Sequence, residues 1–183
     1  GYIPSPWSIY ENVSKLPPGT FICISERSKK ITAPQKYWSL ETALGTPDKN
    51  RYIDRNFQEY NDAIEEIIND SVRLRMVADV EVGAFISGGI DSSLIASIAQ
   101  KQSLKPINTF SVGFQNPSFN EAPYAQKIAE HLNTNHSEIY VSDSDAMDTI
   151  PKLPLIWDEP FADSSQIPTF LISEFASKNV KVV

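Results

Sequence analysis

The stretch Val82 to Ile95 constrains this chain more than any other. It reads Val-Gly-Ala-Phe-Ile, then Ser87-Gly88-Gly89-Ile90-Asp91-Ser92-Ser93, then Leu-Ile. An apolar run enters a small, polar, glycine-bearing turn, and a helical pattern leaves it through Leu94, Ile95, Ile98 and Ala99. The order is strand, anion cradle, helix. Gly88 and Gly89 permit a tight turn and a close backbone approach. The N–H groups that open a helix favour an anion, and Ser87, Ser92 and Ser93 add hydroxyl donors. Asp91 is the odd member, because a carboxylate repels phosphate unless a cation stands between them. Polyphosphate with a divalent metal satisfies both. The P-loop ending Gly-Lys-Ser/Thr has no counterpart here, since the turn holds no lysine. The dinucleotide fingerprint requires a third glycine where this chain has Asp91-Ser92-Ser93.

With 183 residues, the chain can bury one sizeable core and a small appendage. The formal charge of -7 argues against nonspecific binding to nucleic acid, and no such partner is expected. A lone cysteine, Cys23, excludes an intrachain disulfide and a thiolate metal cluster. The sequence contains no run suited to a membrane span. The simplest setting is cytoplasmic.

Residues 1–20 hold Pro4, Pro6, Pro17, Pro18 and Gly19, which predicts extended and turn structure. Strands are expected at Thr20–Ile24, with Cys23 packed in it, and over 31–40 with a break at Pro34. Residues 41–55 read as a polar linker. Asn56 and Glu59 have capping-box spacing and open a helix to about Met76, whose apolar stripe is Phe57, Tyr60, Ile64, Ile67, Ile68 and Val72. Arg73 and Arg75 suit its C-terminus electrostatically, or could instead reach a phosphate. Beyond the central motif come a strand at Asn108–Phe114 and a helix at Glu121–Leu132. Ser118 and Glu121 have capping-box spacing for that helix, and Tyr124, Ile128, Ala129 and Leu132 form its apolar side. A strand at Ser137–Val141, a helix begun in the acidic run 142–148, a helix from Ile167 to Ala176 and a terminal strand at Val180–Val183 complete the order. This alternation predicts an α/β fold: a parallel sheet with helices on both faces, preceded by a short β segment.

Ligands of such sheets gather beyond the strand C-termini. That rim would collect Ser87–Ser93, the strand end at Val112 and Gly113, and the loop 158–166. Val112 and nearby backbone could line an adenine pocket, with Gly113 allowing close approach of the base. Asp158, Glu159 and Asp163 could position metal, an amine or a second substrate, or simply be solvated. His131 fits a helix C-terminal cap, and His136 precedes a strand near the rim. Neither histidine belongs to a zinc pattern, and no Gly-x-Ser-x-Gly elbow is present.

Ser87-Gly88-Gly89-Ile90-Asp91-Ser92-Ser93 resembles the pyrophosphate loop of the N-type ATP pyrophosphatases. Together with residues 1–6, 15–19, Phe110-Ser-Val-Gly-Phe114 and the run from Asp158 to Phe170, it resembles the glutamine-hydrolysing asparagine synthetases, bacterial type. The resemblance implies an adenine nucleotide alpha hydrolase-like fold. It implies ATP and Mg2+ as cofactors, adenylation of the side-chain carboxylate of aspartate or a related acid, and attack by ammonia drawn from a glutaminase domain. On the matching positions, Ser87, Gly88, Gly89, Ser92 and Ser93 would hold pyrophosphate, Asp91 the metal, and Phe85 and Val112 the adenosine portion. Ser87 and Asp91 would be the catalytic pair.

The same resemblance divides the chain into residues 1–36, the tail of an N-terminal glutaminase domain; 37–55, a linker; and 56–183, the first part of the synthetase domain. Cys23 does not correspond to the glutaminase nucleophile. The family's second phosphate-binding motif and its lysine would lie after Val183, so the chain alone is expected to be inactive. An unpaired strand edge there would favour a homodimer. The run 158–166 departs from the segment that recognises aspartate in the best-known members. This leaves open another carboxylate substrate of the same loop class, or a nonenzymatic nucleotide-binding module.

Overall fold

The computed structural model describes residues 1–45 and 56–183. They form two compact units, one within Gly1–Arg55 and Leu153–Asp163, the other within Asn56–Lys152 and Ser164–Val183.

The first unit is built on an antiparallel ribbon. Its strands are β1 (Thr20–Phe21), β2 (Ile24–Ser25), β3 (Lys30–Ile31) and β4 (Gln35–Lys36). β1 pairs with β4 and β2 with β3. The continuous strand expected at 20–24 is broken at Ile22 and Cys23. Opposite that break, Thr32 accepts from the Cys23 N–H through its hydroxyl at 3.0 Å and donates its own N–H to the Cys23 carbonyl. Cys23 is exposed rather than packed. The break expected at Pro34 is present. A one-turn helix, α1 (Leu40–Leu44), capped by Ser39, replaces the first part of the expected linker; residues 46–55 lie outside the described residues.

The second unit opens with α2 (Phe57–Arg75). Asn56 and Glu59 form the reciprocal capping box, each accepting the other's N–H at 3.0 Å. Only the C-terminal half of its apolar stripe is covered: Val72 is buried and Ile68 partly so, while Phe57, Ile64 and Ile67 are exposed. Then follow β5 (Gly83–Phe85), α3 (Ile90–Gln102), β6 (Asn108–Phe114), α4 (Ala122–Leu132), β7 (Asn135–Val141) and α5 (Asp143–Thr149). Ser142 and Asp145 form a second capping box at the start of α5. A 3-10 turn at Ile150–Lys152 precedes α6 (Leu153–Ile156), which belongs to the first unit. The chain returns to the second unit for α7 (Gln166–Ala176).

The sheet is parallel, in the order β5-β6-β7, and Val182 adds a parallel bridge on the other side of β5 at Val82. The first three strands therefore step in one direction, and the chain then reverses across β5. Alternating side chains sort the helices to the two faces. Ile86 packs with Ala96, Ala125 and Ala129 on the α3–α4 face. Phe110, with Phe85 and Val112 beside it, packs on Ile172, Ala176 and Val180 of the α7 side. The α/β sheet covered on both faces is thus realised.

Two local expectations change. Ser118 caps nothing: it lies in a 3-10 turn at Pro117–Phe119, where Asn116 accepts its N–H. Glu121, at the start of α4, makes no side-chain cap; Asn120 instead accepts from the Ala122 and Phe114 N–H groups. The buried side of α4 is Ala122, Ala125 and Ala129, and Tyr124 is exposed. Ala129 and Leu132 pack on this face as expected, while Ala122 sits close against Gly113.

Candidate functional site

β5 is extended by one rung, since the Ile86 N–H donates to the Phe110 carbonyl at 2.8 Å. The ladder then ends and the chain enters the loop at Ser87. Gly88 adopts φ +80°, a left-handed conformation that strains residues with a Cβ. A Cβ there would lie 2.7 Å from Cβ of Tyr124 and 3.2 Å from the Ala125 nitrogen. Gly88 is thus required twice, by backbone conformation and by the approach of α4. Gly89 differs. Its φ is −76°, and its nearest obstacle is the Ser87 hydroxyl at 3.2 Å.

Gly89 is the N-cap of α3, and no side chain caps this helix. The serines organise the loop from within. The Ser92 hydroxyl lies 2.9 Å from that of Ser87 and accepts from the Ser87 N–H at 3.1 Å. Ser93 donates its hydroxyl to the Gly89 carbonyl at 2.5 Å. Asp91 falls in the first turn of α3 with its side chain exposed. The result is an uncapped helix start, held in a fixed turn and lined by hydroxyls. It can receive an oxyanion through backbone N–H groups.

Beside the loop is a cleft of about 300 Å³, into which Phe85, Ser87, Ser92 and Val112 all contribute. Its remaining walls come from Phe114, Phe119 and Glu121 on one side and Pro168, Thr169 and Ile172 of α7 on another. An adjoining cavity of about 810 Å³ shares Phe114, Phe119 and Pro168 and extends to Asn116, Asp143, Ser164 and Ser165. The smaller cleft lies beyond the C-terminal ends of β5 and β6, next to the strand at which the sheet order reverses, where ligands of open α/β sheets collect, and the larger cavity lies beyond the ends of β6 and β7.

Several sequence-predicted residues do not join this cleft. A Cβ on Gly113 would meet the Tyr140 ring at 2.6 Å and Ala122 at 3.1 Å, so the space before it is occupied by the fold. His136 is the second residue of β7, paired with Thr109, at the end of the sheet away from the rim. Its Nδ1 lies 2.9 Å from the Thr109 hydroxyl and its Nε2 3.2 Å from the Ser111 hydroxyl, while Thr109 also meets Thr134 at 2.7 Å. Burial lowers the His136 pKa from its ordinary 6.5, with nearby Glu138 opposing the shift. His131 is in the last turn of α4, but the cap is Asn133 in the left-handed conformation.

The run 158–166 divides between the units. Glu159 is mostly buried, pairs with Lys15 and accepts the Ile9 N–H at 3.2 Å; Lys15 also donates to the Ile3 carbonyl. That carboxylate fastens the N-terminal segment. Ser164 and Ser165 line the larger cavity. Among the described residues, no group of three or more His, Cys, Asp and Glu is placed to hold a metal ion, and no helix is long and apolar enough to cross a membrane.

Sequence reasoning missed Glu121 and the α7 wall formed by Pro168, Thr169 and Ile172. Glu121 was read as half of a cap, and α7 as a helix with no place in the site. The signal was topological: α7 must cross the face opposite α3 and α4 to place Val182 beside β5.

Comparison with known proteins agrees with this architecture. Residues 63–183 match the family described as Asparagine synthase. The chain is 36% identical over 184 residues to a Methanocaldococcus jannaschii protein named "Putative asparagine synthetase (glutamine-hydrolyzing) 2", covering 100% of this chain and 34% of that protein. It is 33% identical over 181 residues to Asparagine synthetase (glutamine-hydrolyzing) 1 of Bacillus subtilis, covering 99% of this chain and 27% of the other. With Asparagine synthetase B (glutamine-hydrolyzing) of Escherichia coli it shares 31% over 139 residues, 67% of this chain and 25% of that one. The chain thus spans about a third or less of these relatives. The match to residues 63–183 contains the whole strand–loop–helix unit and both cleft walls, and on it the chain belongs to the asparagine synthase family.

Proposed function

We propose that the intact protein is an ATP-dependent, amide-forming synthetase of this family. The substrate acid is aspartate or a related carboxylic acid, and ammonia is drawn from a glutaminase domain. Residues 1–36 are assigned to the tail of that glutaminase domain, 37–55 to a linker, and 56–183 to the first part of the synthetase domain. A cytoplasmic setting suits the ATP and free acid that the reaction consumes.

A carboxylate oxygen of the acid attacks the α-phosphorus of ATP. The bond between that phosphorus and the bridging oxygen breaks, and pyrophosphate leaves with the electron pair. Ammonia then adds to the acyl carbon, loses a proton and expels AMP. In this reading Ser87, Gly88, Gly89, Ser92 and Ser93 hold the pyrophosphate portion. Their N–H and hydroxyl donors stabilise the charge that develops as it departs. Phe85 and Val112 offer apolar contact to adenosine, with Gly113 keeping the β6 end closely packed beside them.

The donor set fits Mg2+. This ion keeps several waters and takes one or two carboxylates together with substrate phosphates, and Asp91 supplies an exposed carboxylate in the first turn of the helix that meets the anion. When bound, Mg2+ supplies neutralising charge to the polyphosphate.

The observation that carries the reading is the loop itself: a left-handed Gly88, an uncapped α3 and three serines at the reversal of a parallel sheet. The test is acid-dependent exchange of labelled pyrophosphate into ATP by the intact protein, with Mg2+ and without ammonia. Exchange should appear with aspartate or a related acid. Its absence across a panel of carboxylic acids, in protein that binds Mg-ATP, would refute adenylation.

A further inference from the structure

The cleft beside the loop is lined by three kinds of group. Phe85, Val112 and Phe114 are apolar, Ser87 and Ser92 bring hydroxyls, and Glu121 is the single ionisable side chain. Glu121 has no structural duty that explains it. It stands at the start of α4 but makes no side-chain cap. Among the described residues, no hydrogen bond or ion pair engages its carboxylate. Its backbone is pressed against the loop, with its carbonyl 3.4 Å from where a Gly88 Cβ would stand. It therefore stands beside the loop as the one carboxylate among the residues that line the cleft.

A nucleotide bound there has three parts to match these three linings. The base takes the apolar walls and the polyphosphate takes the loop donors. The ribose, joined directly to the α-phosphate, presents a vicinal diol whose hydroxyls are donors. A carboxylate is an acceptor only, and pairing it with a hydroxyl donor gives a charge-assisted bond. A shared metal site with Asp91 is the competing use. It is disfavoured because Asp91 does not line this cleft and no three-carboxylate grouping exists among the described residues.

We infer that Glu121 recognises the ribose hydroxyls of the nucleotide and makes the site selective for ribonucleotides over deoxyribonucleotides. This rests on the ATP reading above.

Calorimetric titration of the intact protein tests it, using Mg-ATP, its 2′-deoxy and 3′-deoxy analogues and magnesium pyrophosphate. The native protein and Glu121→Ala are compared, with circular dichroism confirming that both are folded. The native protein should bind at least one deoxy analogue about ten- to hundred-fold more weakly than ATP. Glu121→Ala should lower ATP affinity to that same level, lose nothing further for that analogue, and bind pyrophosphate as before. Equal losses for ATP and both deoxy analogues, a loss of pyrophosphate binding, or no loss at all would each overturn the assignment. Failure of the native protein to bind either Mg-ATP or magnesium pyrophosphate would instead overturn the nucleotide reading, and this inference with it.

Discussion

Gly88 and His136 show how single residues carry the site and its support. Gly88 combines a φ of +80° with a Tyr124 Cβ that would be 2.7 Å away, so no side chain can be added without moving the backbone. Gly88→Ala should cost about 2 kcal/mol or more, from left-handed strain plus the clash, and should weaken pyrophosphate binding. Gly89→Ala, at φ −76° and facing only a hydroxyl, should cost about 1 kcal/mol or less. Urea denaturation of both variants compares them; equal losses would contradict this assignment of roles. His136 acts on pH dependence. Burial depresses its folded-state pKa, so the unfolded chain takes up the proton first as pH falls. Its contribution is complete above the ordinary value of about 6.5 and is lost as pH drops through the folded-state value. Denaturation midpoints should fall between pH 7.5 and 5.5, and the fall should be smaller in His136→Gln. At this scale the sequence foretold the tight turn at Gly88 and the serine hydroxyls gathered at the start of α3. It did not show that Gly113 serves the packing of Tyr140 and Ala122, because the residue facing a glycine across a strand is set by register.

Elements were legible where capping chemistry is local. Asn56 and Glu59 predict their own box, since both partners lie within one turn, and the structure forms it. Asn56→Ala should cost about 1 kcal/mol, read as a lower thermal midpoint; an unchanged midpoint would mean that α2 does not melt with the rest of its unit. Ser118 and Glu121 have the same spacing but fail, because Asn116 and Pro117 wind the intervening residues into a 3-10 turn and Asn120 supplies the acceptor. The buried face of α4 was legible at Ala129 and Leu132 but not at Tyr124, Ala122 and Ala125, for a different reason. Large side chains on a 3.6 period suggested the core, yet the fully buried positions are Ala122, which faces Gly113, and Ala125, which packs with Ile86 and Ala96. Ala125→Leu should therefore cost about 1–3 kcal/mol by overpacking and weaken Mg-ATP binding as α4 pushes on the loop. Normal nucleotide affinity in that variant would separate α4 from the site.

For the molecule as a whole, alternation of strand and helix predicted the parallel sheet, and the bridge between Val82 and Val182 supplies the reversal that places a cleft beside Ser87. What the alternation could not supply is the wall made by α7, or the grouping of Leu153–Asp163 with the first fifty-five residues. Glu159, read as a candidate ligand, turned out to hold Lys15 and the Ile9 N–H. Such pairings join positions far apart in sequence, and no periodicity records them. In the proposed function the loop from Ser87 to Ser93 handles a departing pyrophosphate. Phosphorus NMR of the products tests it most directly, with the intact protein given ATP, Mg2+, ammonia and aspartate or the acid that supports exchange. The expected products are AMP and pyrophosphate in equal amounts, strongly reduced in Asp91→Asn. ADP and orthophosphate in their place would contradict it.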